Sequence, residues 1–156
     1  MVSAMAEVTV LIPASAERIF AVLADGWSYG HWVVGSTHMR DVDPDWPRVG
    51  TRIEHSIGAW PLMVQDATTV LSVEPPRLLE LEARFWPFGR ARIRLELHRE
   101  GLASTRVRMV ERVSRGPAHL IPAPLQALLL GPRNRESLTR LTDLATSGYG
   151  SGPTGP

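Results

Sequence analysis

The chain of 156 residues contains no cysteine and no lysine. Without cysteine there is no disulfide, no thiolate zinc site and no cysteine nucleophile, and a reducing compartment suits the chain. Without lysine, all 17 basic residues are arginine, set against 16 acidic residues for a formal net charge of +1. Acids are interspersed among the arginines throughout, so no nucleic-acid partner is expected. No 18 apolar residues run together, which excludes a membrane-spanning helix and any stable insertion through one. The start, "MVSAMAEVTVLIP", lacks the basic segment and long apolar core of an export signal. The cytoplasm is the expected location. With 44% hydrophobic residues, the length predicts one domain with a substantial core.

The patterns that are present divide the chain clearly. "EVTVLIP" reads as a short strand ended by Pro13, and "SAERIFAVLADG" as a helix capped by Ser15, with Ile19, Phe20 and Leu23 as its buried stripe. A second short helix is expected around "WSYGHWV". Six alternating segments follow, "STHMRDVD", "TRIEHSIG", "MVQDATTVLSVE", "RLLELEARF", "RARIRLELHRE" and "STRVRMVERVS", punctuated by proline and glycine. With no long helix between them they should pair antiparallel as a meander. "PLQALLLGPRNRESLTRLTDLA" returns to helical spacing through Leu130, Asn134, Leu138, Leu141 and Ala145, with Pro132 expected to kink or restart the helix. Residues 1–5 are read as a flexible start, 6–146 as the domain, and the Gly/Ser/Pro-rich 147–156 as a disordered tail.

Strand alternation assigns the faces. Leu79, Leu81, Ala83 and Phe85 oppose Glu80, Glu82 and Arg84, while Ala91, Ile93, Leu95 and Leu97 oppose Arg92, Arg94, Glu96 and His98. The wet face should carry cross-strand Glu–Arg pairs, and the apolar face needs a cover, for which the C-terminal helix is available. One residue breaks the rule. Glu111 falls on the side of Val107, Met109 and Val113, where a carboxylate is costly unless paired. His55 lies likewise between Ile53 and Ile57, and Asn134 shares the inward stripe of the helix, so three polar side chains converge on one apolar space.

Element order and local phrases together resemble a known family. A strand, one or two helices, six strands and a long terminal helix match the helix-grip fold of the START-like (SRPBCC) superfamily, an α+β fold with a strongly curved antiparallel sheet wrapped around that helix. "IPASAERIFAVLAD", "HWVVGS", "WPRVGTRIEHSIGAWPL", "VEPPRLLELEAR", "RMVERV" and "RNRESLTRL" are similar to its bacterial polyketide cyclase/dehydrase branch. The resemblance implies a cavity between sheet and helix that takes a lipid, polyketide or other small apolar molecule. It implies an enzyme only for a minority of members, so the reading leans away from catalysis. No cofactor is implied.

Candidate ligand-binding residues are Trp32, His55, Trp60, Phe85, Met109, Glu111, Asn134 and Leu138. Trp32, Trp60, Phe85 and Trp86 stand near strand ends where a cavity mouth would be and could stack on a flat ligand, although core packing accounts for each equally well. Trp27 and Trp46 read as surface lids or staples. For Glu111 the favoured reading is a strut paired to Arg133 or Arg135 or bonded to Asn134. For His55 it is a satisfied core histidine. The enzymatic alternative is an aromatase or cyclase in which His55 or Glu111 exchanges a proton with a poly-β-keto chain and Asn134 polarises a carbonyl. A third alternative is a regulatory, partner-binding module. The five histidines show no metal spacing, and neither a phosphate loop nor a GxSxG elbow is present.

Overall fold

Alternation of buried and exposed residues from Ala6 to Ile12 forms β1. The chain then turns into α1 (Ala16–Ala24), whose cap is Ser15, with its hydroxyl accepting from the Arg18 N–H. A 3-10 turn (Gly26–Ser28) leads into the four-residue α2 (Tyr29–Trp32). Six strands follow: β2 (Ser36–Val42), β3 (Arg52–Ile57), β4 (Val64–Glu74), β5 (Leu78–Phe85), β6 (Gly89–Gly101) and β7 (Ser104–Arg115). A second 3-10 turn (Pro117–Leu120) precedes α3 (Ala123–Thr146). The computed structural model describes residues 6–34, 36–57, 64–85 and 89–147, without the side chains at 36–38, 57, 64, 65, 85, 118, 119 and 123. Trp60, Trp86 and the tail beyond 147 therefore lie outside the described residues, as does the Phe85 side chain.

The strands form one antiparallel sheet in the order β1-β7-β6-β5-β4-β3-β2. Every consecutive strand from β2 to β7 is a neighbour of the next, so the meander expected from the missing crossover helices is the topology found. β1 closes against β7 and leaves β2 as the far edge. This is the helix-grip arrangement, with α3 on the concave face and α1 and α2 at one end. Glu80 pairs with Arg94 at 3.0 Å on the outer face. Glu82 stands opposite Arg92 in register but takes its ion pair from Arg90, at 2.9 Å. Such exposed pairs contribute only a few tenths of a kcal/mol to about one each.

The inner face grades from large to small side chains. Under the C-terminal half of α3, Ile53, Val70, Leu79, Leu81, Leu95, Leu97 and Val107 are almost wholly removed from water and pack with Leu138, Leu141 and Ala145. Each such aliphatic chain contributes about 1.5–3 kcal/mol through burial. Toward the other end, the row across β5, β6 and β7 is Ala83, Ala91 and Val113, and the next row is Leu81, Ile93 and Glu111, with Ala6 beside it on β1. Three alanines thus stand on this part of the inner face, where the other end carries leucines.

Two expectations need correction. Trp46 is not a surface staple: it is buried in the core, its indole N–H donates to the Leu23 carbonyl at the end of α1 at 3.1 Å, and its ring lies against Gly26. A Cβ at Gly26 would stand 2.4 Å from Val42 Cγ1 and 3.2 Å from the Trp46 ring, so only glycine admits this packing. Trp27, by contrast, is exposed as expected. Pro132 does not restart the helix; α3 runs through it as one element. The carbonyl that Pro132 cannot serve is that of Leu128, and both residues face water, which solvates the freed group. Trp46→Phe keeps a ring over Gly26 but strips the Leu23 carbonyl of its donor. It should cost about 1–3 kcal/mol in urea denaturation, whereas Trp27→Phe should change stability by less than about 0.5 kcal/mol.

Candidate functional site

The polar side chains singled out in the sequence, Glu111, His55 and Asn134, are all buried. Glu111 is 3% exposed in the middle of β7's inner face, and its Oε1 accepts from Arg133 Nη1 at 3.3 Å. Of the partners expected for this carboxylate, Arg133 is the one that forms the pair. Arg133 also donates from Nε to the Val34 carbonyl at 3.1 Å, and the Val34 N–H donates to Ser137 Oγ, one turn further along α3, at 3.1 Å. Both backbone groups of Val34, just after α2, are thereby fixed to α3, and α3 is fixed to β7 through the same guanidinium.

His55 is buried on β3 opposite Asp66 of β4 and beside Met39 of β2. Its Nε2 lies 3.0 Å from Thr68 Oγ1, which also lies 3.1 Å from the Tyr29 hydroxyl, so Tyr29, Thr68 and His55 form a hydrogen-bonded chain from α2 to β3. The Tyr29 and His55 rings are tilted against one another with centroids 5.3 Å apart. Burial above all, then the positive charges of Arg40 and Arg133, pushes the His55 imidazolium down to about 4, so the ring is neutral at physiological pH. Burial likewise pushes the Tyr29 phenol up. The charges of Arg133 and Glu111 reach the phenol, and that of Arg133 reaches the imidazole, which places the Glu111–Arg133 pair and the Tyr29–Thr68–His55 chain in one electrostatic neighbourhood.

Two buried atoms in this region, Glu111 Oε2 and Asn134 Nδ2, have no hydrogen-bond partner among the described residues. An unmet donor or acceptor removed from water costs about 1–3 kcal/mol. Met109 and Leu138 are buried within the hydrophobic core cluster. Trp32 is set deeper than a mouth residue, inside the core cluster on α2 and edge-on to Tyr29 with centroids 5.6 Å apart. Phe85 closes the end of β5, opposite Gly89. Among the described residues no cluster of histidine, aspartate and glutamate could hold a metal ion, and no helix is long and apolar enough to cross a membrane.

Several polar residues of the site escaped the sequence reading, although their signal was there. Asp66 and Thr68 fall in step with Val70 along "QDATTV", which puts them on the inner face. Gln126 lies two helical steps of four before Asn134, on the same stripe; all three are buried.

The comparisons agree with this architecture. The sequence pattern of the family described as "Polyketide cyclase / dehydrase and lipid transport" matches residues 3–146. The chain belongs to this family. No curated protein matches it in sequence. A START superfamily protein from Mycobacterium smegmatis is similar in fold, with a TM-score of 0.72 at 18% identity over 92% of this chain and 97% of that one. The Zhui aromatase/cyclase from Streptomyces sp. R1128 gives 0.70 at 13% identity over 92% and 94%. A conserved protein from Geobacillus kaustophilus gives 0.69 at 10% identity over 92% and 96%. At these identities the likeness is one of fold.

Two outcomes follow from the site's electrostatics. Removing either partner of the Glu111–Arg133 pair has unequal consequences, because the Arg133 side chain is 37% exposed and can be solvated whereas Glu111 cannot. Arg133→Met leaves a buried carboxylate unpaired and should cost about 3–5 kcal/mol, against about 1–2 kcal/mol for Glu111→Gln, both read from equilibrium denaturation curves. The second concerns pH. Since His55 titrates near 4 in the fold and near 6.5 when unfolded, the unfolded chain alone takes up a proton between those values. Its contribution is intact above pH 6.5 and is lost as pH falls toward 4, to the extent of about 3 kcal/mol. Denaturation curves across this window should flatten correspondingly in His55→Gln.

Proposed function

We propose that this protein binds a small, largely apolar molecule, of the lipid or polyketide kind, between the alanine-lined end of the sheet and the first half of α3. The observation that carries the reading is the coincidence of small inner-face side chains, Ala6, Ala83 and Ala91, with buried polar atoms that lack partners, Glu111 Oε2 and Asn134 Nδ2. A solid core would fill such a place with large apolar chains, as it does under the other half of the helix. Affinity would come from apolar burial against Met109, Ile93 and Leu138. Orientation would come from the polar atoms: Asn134 offers a donor to a carbonyl, and Glu111 offers an acceptor to a hydroxyl. Trp60 and Phe85 remain candidates for contact at the mouth.

A cyclase acting through His55 or Glu111 is the competing reading, and it draws on the family description and on the Streptomyces fold relative. The electrostatics favour binding. A base whose conjugate acid titrates near 4 removes a proton from carbon poorly at neutral pH, and Glu111 is engaged with Arg133. The cytoplasm remains the expected location.

Ala91→Phe tests the cavity directly. If the space exists, the ring fills it: the variant should fold with near wild-type stability while its affinity for a neutral apolar probe such as Nile red falls about tenfold or more. If the space is solid, the added ring overpacks it, and about 1–3 kcal/mol of stability is lost with no probe binding by the wild type to begin with.

A further inference from the structure

The polarity of α3 is inside out over its first half. Gln126 and Asn134 face the sheet and are buried, while Leu125, Leu128 and Leu129 face water at 45%, 69% and 58% exposure, and Leu120 in the preceding 3-10 turn is 84% exposed. Scattered exposed leucines are ordinary, but these are consecutive along one helical stripe, at spacings of three and four, and the stripe continues to Arg135. Over the second half the helix has normal polarity, with Leu138 and Leu141 inward. An apolar face held outward in this way implies something apolar outside.

Charge narrows what that is. Arg115 and Arg135 are exposed, and the acid that shares the leucine stripe, Glu136, is paired with Arg140. A second copy docked on this face by two-fold symmetry would bring this net positive charge onto itself. An anionic lipid surface would instead accept the leucines into its interfacial layer and gain from Arg115 and Arg135, whose long side chains can reach headgroups beside a buried apolar stripe. We propose that the outer face of the first half of α3, with Leu120 ahead of it, docks peripherally on an anionic membrane. Docking there involves surface residues alone, so it stands or falls separately from ligand binding in the interior.

Cosedimentation with phosphatidylcholine vesicles, with and without phosphatidylglycerol, reads this out. The wild type should bind the mixed vesicles, more weakly as salt is raised, and bind pure phosphatidylcholine far less. The double variant Leu128→Glu, Leu129→Glu changes exposed positions, so it should melt as the wild type does and yet remain in the supernatant. Arg135→Ala should weaken binding to the anionic vesicles about fivefold. Ala91→Phe should bind vesicles like the wild type, which separates docking from uptake of a lipid into the interior. The proposal is overturned if the wild type pellets with neither vesicle, if the double variant still binds, or if sedimentation equilibrium reveals a dimer that the double variant dissociates.

Discussion

The guanidinium of Arg133 is the constraint on which the rest of the interior depends. It binds β7 through Glu111 and the segment after α2 through the Val34 carbonyl, and it projects from α3, so a single side chain sets the distance between helix, sheet and the α1–α2 end. Among the described residues, α3 approaches the backbone of β1, α1 and α2. The Glu111 carboxylate tolerates burial because the Arg133 cation accompanies it.

The same charge shapes the chemistry of its surroundings. Burial above all disfavours a protonated His55, and the proximity of Arg40 and Arg133 disfavours it further, outweighing a hydrogen bond with the Ser56 backbone, so the imidazole is held neutral. Thr68, shared between His55 and Tyr29, then needs no ionised group to satisfy it. The result is a neutral imidazole within electrostatic reach of Arg40 and Arg133, in the same buried region as Asp66 and the Glu111–Arg133 pair.

Much of this was legible in the sequence because the strands obey a period of two and the sheet has one wet face. That rule placed His55 and Glu111 inside and gave every strand of the meander, while the helical pattern offered Arg133 or Arg135, or Asn134, as partners for Glu111. It failed where contact between distant segments decides. Trp46 sits among aspartates and prolines, a setting that reads as surface, and is buried because Gly26, some twenty residues earlier, leaves a slot for its ring. Asp66 and Thr68 were in phase with Val70 but were passed over, since a strand with two polar inward residues looks like no strand of a filled core. Pro132 reads locally as a break, yet the carbonyl it leaves unpaired lies on the solvent side, where the cost is small.

The interior and the reversed polarity of α3 are connected by a simple argument. A helix over a filled hydrophobic floor buries its apolar stripe and exposes its polar one, as the second half of α3 does with Leu138 and Leu141. Over the first half the residues buried beneath the helix are polar, Gln126 and Asn134. Gln126 donates to the Ile121 carbonyl at 2.8 Å, which ties down the turn leading into the helix. The leucines of the segment are then displaced to the outside by geometry, since successive residues along a helix cannot all face inward. Had solubility been the sole demand on that outer face, glutamate or arginine would serve there as they do at Glu136 and Arg140, which pair with each other one step beyond the leucine stripe. Leucine at three neighbouring outward positions is therefore a second departure from the ordinary pattern, independent of the one inside, and the two meet on opposite faces of the same two turns of helix.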